Sequence, residues 1–301
     1  LNQRIQVAAD YISVKQDGLS IDVLENVITG FKKVNLGREF NTPYEELTPI
    51  ISPDSKILYI TCKGHPNNTG GTDNDDIWYS NPYNDSTWGP PINIGAPLNN
   101  KDNNSVISVS PDGNTLYLNG IYLPDGTTEG NGVSVSHRTK KGWTLPEKIS
   151  IDNFFNFSDY AGFSVSADEN IMITSIQRED SEGELDLYVS FRKPDGTFTA
   201  PKNLGPVVNT ESDDVAPFLA ADNTTLFYAT RGKPGFGSMD IFVSKRLDDS
   251  WTKWSTVKNM GPEINSIGWD GYFSVPASGL YAYLVSYNNS YGKSDIFRIP
   301  I

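Results

Sequence analysis

Cysteine, histidine and positive charge are what this chain has least of. Cys62 is its one cysteine, so no intrachain disulfide can form and the redox compartment stays open. The only histidines, His65 and His137, lie 72 residues apart in different parts of the sequence, which excludes a His-based zinc spacing. Twenty-four basic residues face 37 acidic ones, for a net charge of −13. A duplex-binding surface needs clustered Lys and Arg to displace phosphate counterions, and no basic stripe exists here. Nucleic acid and anionic membrane surfaces are therefore excluded as partners, while basic proteins, cationic ligands or metal ions suit the field. No apolar run approaches the ~20 residues of a membrane span. No G-x-S-x-G elbow, P-loop or G-x-G-x-x-G occurs. The sequence opens at Leu1 with no leader, so a mature or excised piece of a longer protein is expected.

What is abundant suits short strands and tight turns: 26 Gly, 19 Pro, many Asn, and 12% aromatic residues to fill a core. A nine-residue block recurs: ISPDSKILY at 51–59, VSPDGNTLY at 109–117, VSADENIMI at 165–173 and LAADNTTLF at 219–227, with a shortened copy, VPASGLYAY, at 275–283. The anchors Pro53, Pro111, Ala167, Ala221 and Ala277 are 58, 56, 54 and 56 residues apart. Each block reads as strand, polar turn, strand. A third strand follows with Asp and alternating apolar residues (Asp76, Asp186, Asp240, Asp295); the second repeat departs from this at Gly132-Val133. A fourth runs from an aromatic to Asn-x-Gly (Asn93, Asn203, Asn259), and again the second repeat keeps only its Trp143.

Four strands per ~56-residue unit compose a propeller blade. The fold class is thus all-β, a five-bladed β-propeller over 31–301. The fifth repeat stops after its third strand, and the missing fourth-strand pattern lies near the start, Phe31 to Asn35-Leu36-Gly37. That N-terminal strand is expected to pair with residues 295–299, closing the ring and removing an open edge. Residues 1–30 form an N-terminal extension with alternating stretches at 3–7 and 11–15 and a short helix expected over 21–29. A degenerate sixth blade over 1–37 is the alternative.

The "SPDG-x-x-LY" hairpin, the "DI-aromatic" third strand, the "W-x-x-P-x-N-L-G" fourth strand and the "N-T-x-x-x-E" lead-in (Asn41-Thr42, Glu46; Asn209-Thr210, Asp214) resemble the WD40-like PD40 repeats of TolB-like propellers. The layout over 31–301 is similar to propellers within outer-membrane-associated proteins of the OmpA family. The resemblance implies periplasmic or outer-membrane association, flanking domains such as a peptidoglycan-binding one, and a protein–protein scaffold role.

Loops from second to third strands share a face with those joining successive blades, so the long loops at 63–75, 122–132, 175–184, 230–239 and 286–294 gather on one side. Six residues before the hairpin anchor serine, the repeats carry Glu46, Asn104, Tyr160, Asp214 and Asp270, expected at the channel mouth on that face. Such a ring can hold a cation or basic side chains; equally, each acid can accept backbone N–H groups and order its own loop. Trp269, where the other repeats hold Glu45, Asn103, Asp159 and Asp213, can stack on a sugar or anchor a partner; equally it can pack beneath a loop. Trp88, Trp143 and Trp251 recur by blade and read as packing. The acidic run at 70–76 does not match EF-hand spacing.

The function expected is a non-enzymatic binding scaffold of the bacterial envelope, acting without cofactor or metal on an envelope protein partner, with a carbohydrate or peptidoglycan-associated ligand as a further candidate. The alternative is a glycoside hydrolase whose carboxylates, ~5–5.5 Å apart if retaining or ~6.5–9.5 Å if inverting, ring the central pocket. Glu46, Asp214 and Asp270 are its candidates, although catalytic residues usually break a repeat.

Overall fold

The computed structural model describes residues 27–84, 87–276 and 280–300. Each recurrent block folds as the inner hairpin of a blade. Blade 1 comprises Glu45–Ile51, Leu58–Lys63, Asp75–Ser80 and Ile92–Asn93; blade 2, Val106–Val109, Thr115–Tyr122, Thr128–Thr139 and Glu147–Ile149. Blade 3 is Gly162–Val165, Ile171–Ile176, Asp186–Phe191 and Lys202–Asn203, and blade 4 is Asp214–Leu219, Thr225–Thr230, Asp240–Lys245 and Lys258–Asn259. Blade 5 takes Asp270–Ser274, Tyr281–Ser286 and Asp295–Pro300, and its fourth strand is Val34–Asn35. The ring is therefore five-bladed and closed by an N-terminal strand, with Val34 opposite Arg298 and Asn35 opposite Phe297. No sixth blade is needed. The strand is shorter than the sequence pattern implies: ladder pairing is confined to Val34 and Asn35, and Leu36 N–H adds one bond to the Ile296 carbonyl at 3.2 Å.

Turn chemistry explains why the hairpins recur. Ser52 Oγ donates to Asp54 (2.7 Å) while accepting the N–H groups of Lys56 and Ile57 (3.1 and 2.9 Å). Ser110–Asp112 and Ser166–Asp168 repeat the donation. In blade 4 Ala220 has no hydroxyl, and Asp222 alone accepts from Thr224 and Thr225.

The Asp and Asn signatures hold each blade's outer half. Asp76, Asp186, Asp240 and Asp295 are buried and each accepts a loop N–H together with the amide of the fourth-strand Asn, as in Thr69 N–H to Asp76 and Asn93 Nδ2 to Asp76, both 2.7 Å. Asn41, Asn99, Asn209 and Asn265 then mimic an extra β-bridge: each accepts an N–H of the third strand and donates back to the same residue's carbonyl, as Asn99 does with Ile77 at 2.8 and 2.9 Å. These groups are buried, so leaving one unpaired would cost about 1–3 kcal/mol. Blade 2 lacks both signatures and solves the problem differently. Its third strand is 12 residues long, and the stretch expected as a long loop at 122–132 is largely a continuation of the hairpin, with Thr128 opposite Tyr122.

Hydrophobic packing lies between blades. Ile173, Leu187 and Val189 of blade 3 meet Leu226, Tyr228 and Phe242 of blade 4, beside Trp251 and Trp254. Trp88 is buried at the blade 5–blade 1 junction, 3.2 Å from the Tyr283 hydroxyl, while Trp143 is only partly covered. The expected strands at 3–7 and 11–15 and most of the helix at 21–29 lie outside the described residues. Of the latter, Val27 bridges Asn259 in parallel and Ile28 N–H bonds the Asn259 carbonyl at 2.9 Å, so this stretch runs along the outer edge of blade 4. Among the described residues there is no helix, and hence none long and apolar enough to cross a membrane.

Candidate functional site

The inner strands meet around an axis, and four of them carry a β-bulge, between Leu47 and Ile50, Val106 and Ser108, Val215 and Phe218, and Gly271 and Ser274. In three blades the same position has left-handed backbone: Thr48 (φ 49°), Ala216 (φ 50°) and Tyr272 (φ 52°). Such a conformation costs on the order of 1–3 kcal/mol per non-glycine residue, and bulges re-aim side chains. All three residues line a central cavity of about 600 Å³.

The cavity sits on the long-loop face. Its wall is aromatic and neutral-polar, including Tyr160, Trp269, Tyr272, Asn119 and Gln177. A smaller space of about 140 Å³ lies beneath it, on the hairpin side, and Ile50, Ile107 and Phe218 line both. The axis is thus a funnel narrowed by an apolar waist. Two carboxylates line the funnel, Glu184 from the loop of blade 3 and Asp213 from the start of blade 4. Arg231 Nη2 bridges them, 2.8 Å from Glu184 Oε2 and 2.7 Å from Asp213 Oδ2. Asp213 is the more sheltered, its side chain 22% exposed against 60% for Glu184.

The residues singled out from the sequence divide into two groups. Glu46, Asn104, Asp214 and Asp270 are buried and absent from the cavity wall. Each instead organises the inter-blade loop before it: Glu46 accepts from Thr42 N and Oγ1, Asn104 from Asn100 N, Asp214 from Thr210 N and Oγ1, Asp270 from Ser266 N and Oγ. Burial pushes Glu46 up to about 8, against the Thr42 hydrogen bonds and with help from the charge of Asp295; burial likewise pushes Asp214 up to about 7. Asp270 differs in having a cation, Lys33, at 3.1 Å.

Tyr160 and Trp269 do line the cavity. Trp269 is half-buried between Tyr272 and Tyr287, with ring centroids 5.3 and 6.0 Å away. Its indole lies over Gly271, where a Cβ would come within 2.5 Å of the ring, so only glycine permits this placement. The acidic run at 70–76 uses its groups locally, with Asp76 and Asn74 bonded to Thr69 and Lys101. Among the described residues no cluster of three or more His, Cys, Asp or Glu could hold a metal ion.

Sequence reasoning missed Glu184, Asp213, Gln177 and Arg231. A signal existed for Asp213: it stands at the repeat position that Trp269 fills in blade 5, and both side chains line the cavity.

No protein-family model and no curated protein sequence matches this chain. Solved structures do match in fold. The complex of BT0996 with RGII superposes with a TM-score of 0.58 at 10% identity, over 93% of this protein and 93% of that one. A GH43_12 protein retrieved from a capybara gut metagenome gives 0.55 at 12% identity, over 93% of this protein and 55% of that one. A glycosyl hydrolase from Bacteroides ovatus gives 0.51 at 9% identity, over 89% and 93%. What these likenesses establish is the five-bladed propeller. They lend no support to a PD40 or OmpA-associated affiliation or to an envelope protein partner.

They also correct the expectation of a non-enzymatic scaffold, since the propellers this chain is similar to include glycosyl hydrolases, the class weighed as its alternative. The physical reason for the error is visible. The equivalent acids of the repeat are not the only carboxylates near the axis, and the funnel draws its own pair from positions the repeat does not fix.

Proposed function

We propose that this protein is a glycoside hydrolase-type enzyme whose central funnel takes a saccharide and whose reactive carboxylates are Glu184 and Asp213. The observation that carries this reading is the carboxylate pair itself, standing among aromatic and amide side chains in a funnel of about 600 Å³. Because both acids bond one nitrogen of Arg231, their facing oxygens lie no further apart than those two contacts end to end. That suits the ~5–5.5 Å of a retaining enzyme better than the ~6.5–9.5 Å that leaves room for an attacking water. Asp213, sheltered and fixed, is placed to act as nucleophile; Glu184, on the open side, is placed to take a proton from solvent once substrate displaces Arg231, deliver it to the leaving oxygen and then, as the carboxylate, activate water. Arg231 keeps the two like charges together in the free protein, and a sugar hydroxyl entering the pair would compete for it. Trp269 and Tyr160 offer faces to the sugar ring, whose C–H edges suit the negative face of an aromatic. Gln177 and Asn119 offer both donors and acceptors to hydroxyls.

The test is release of aglycone from a panel of aryl arabinofuranosides, xylosides, glucosides and mannosides. Wild type should turn over at least one of them. Glu184→Gln and Asp213→Asn should each lower turnover by about 10²–10⁴, with unchanged melting temperature. Silence of the wild type across the panel, or equal rates in the variants, defeats the proposal. Envelope localisation, implied by the PD40-like repeat pattern, is part of the proposal too and is read by cell fractionation.

A further inference from the structure

Four of the five junctions between blades carry the Gly-x-x-x-Asn lead-in that begins at Gly37, Gly95, Gly205 and Gly261. The junction from blade 2 to blade 3 has instead Asp-Asn-Phe-Phe-Asn-Phe-Ser-Asp-Tyr, residues 152–160. Phe154 turns inward against Phe163, with ring centroids 5.9 Å apart. Phe155, Phe157 and Tyr160 do the opposite and are 40%, 62% and 77% exposed. Three large aromatic side chains left in water on one short loop, where the fold requires none, mark an interaction surface.

The loop is held stiffly. Asn156 donates to the Tyr160 carbonyl (2.7 Å) and accepts the N–H groups of Ser158 and Gln177 (3.1 and 2.8 Å), and Phe157 N–H bonds the Gln177 carbonyl (2.9 Å). The Arg178 guanidinium sits 4.2 Å above the Phe155 ring while bonding the Asn153 carbonyl at 3.1 Å. Phe155 and Phe157 meet edge to face at 5.2 Å. The surface is thus preorganised, and it is continuous with the funnel, since Ser158, Tyr160 and Ala161 of the same loop line that cavity.

We infer that the blade 2–blade 3 loop is an extended binding platform, on which the part of a neutral saccharide chain that leaves the funnel lies across Tyr160, Phe157 and Phe155. The inference rests on the carbohydrate reading of the funnel and adds to it the class of substrate: a chain rather than a free terminal sugar. Neutrality follows from charge, because a net −13 protein with two carboxylates at the funnel repels a polyanion.

The experiment is calorimetric titration of wild type, Phe157→Ala and the Phe155→Ala/Phe157→Ala pair with arabinan, xylan and mannan oligosaccharides of two and of six residues. Melting temperature and sedimentation are recorded alongside. For at least one sugar, wild type should bind the hexasaccharide about tenfold more tightly than the disaccharide. The variants should lose that gain and keep disaccharide affinity; the single variant, at the more solvent-exposed of the two phenylalanines, serves if the double one misfolds. A gain that survives in Phe157→Ala, or disaccharide binding with no gain from length, overturns the platform and leaves the hydrolase proposal standing. Wild type that binds none of these probes overturns both. A dimer that dissociates in Phe157→Ala overturns the platform by reassigning the surface to self-association.

Discussion

Glu46 gives the most direct physical test of this structure. It is fully buried, the charge of Asp295 acts on it, and Cys62 and the Thr42 hydroxyl are hydrogen-bonded against it. Burial, the dominant cause, lifts its carboxyl from 4.5 to about 8. Between those values the folded protein holds a proton that the unfolded chain has released, so stability is fully present below about pH 4.5 and declines as pH rises toward 8. Each pH step across the window is worth up to ~1.4 kcal/mol, so raising pH from 5.5 to 7.5 should cost roughly 2–3 kcal/mol. Glu46→Gln supplies a neutral side chain of the same shape whose oxygen can still accept from Thr42. Its melting temperature should therefore fall less steeply over this range, and it should overtake wild type near neutral pH. At ~2–4 °C per kcal/mol the difference is readily seen by circular dichroism melts at closely spaced pH values. Parallel melting curves for wild type and Glu46→Gln would refute the claim that Glu46 is held protonated by burial.

Asp270→Asn removes the charge partner of Lys33, 11% exposed, leaving its ammonium only the Ile264 carbonyl and the Ser286 hydroxyl, and should cost about 3–5 kcal/mol in urea unfolding at neutral pH. Asn35→Ala removes the amide that bonds Asp295 and the oxygen that accepts from Gly37 N–H and Asn41, and should lower stability by about 2 kcal/mol in the same assay while loosening the N-terminal strand to protease; unchanged cleavage would argue against closure by this strand. Gly271→Ala should push the Trp269 indole aside and weaken saccharide binding about tenfold with a blue- or red-shifted tryptophan emission, whereas normal affinity would remove Trp269 from the site.

The architecture could be read from the sequence because each blade solves the same local problems. A turn needs the Ser-x-Asp bonds of Ser52 and Asp54, and an edge needs the bridging of Asn99; those needs impose residues at fixed spacing, blade after blade. Closure was legible for the same reason, since the pattern missing at Ile301 is found at Asn35. Blade 2 was less so. Lacking the Asp and Asn-x-Gly marks, it gave no hint that residues 122–132 would extend a hairpin.

Tyr160 and Trp269 were legible, but the candidate carboxylates were hidden by the same logic that revealed the fold. Glu46, Asp214 and Asp270 drew attention because they recur, yet a residue that recurs in blade after blade answers a need that every blade has, and here the need is to satisfy the N–H groups of a buried inter-blade loop. A substrate breaks the five-fold equivalence, so the groups that meet it must come from places where the repeats differ. Glu184 lies in a loop, Asp213 at a strand start and Arg231 just past a strand end, and no fixed spacing joins 184, 213 and 231; only the curvature of the ring brings them within hydrogen-bond distance. Phe155, Phe157 and Tyr160 belong to the one junction without the Gly-x-x-x-Asn lead-in. In a propeller, then, the residues to seek for chemistry are those left over after the repeat has been subtracted, and on this axis that remainder is a carboxylate pair, a tryptophan over a glycine and an aromatic lip.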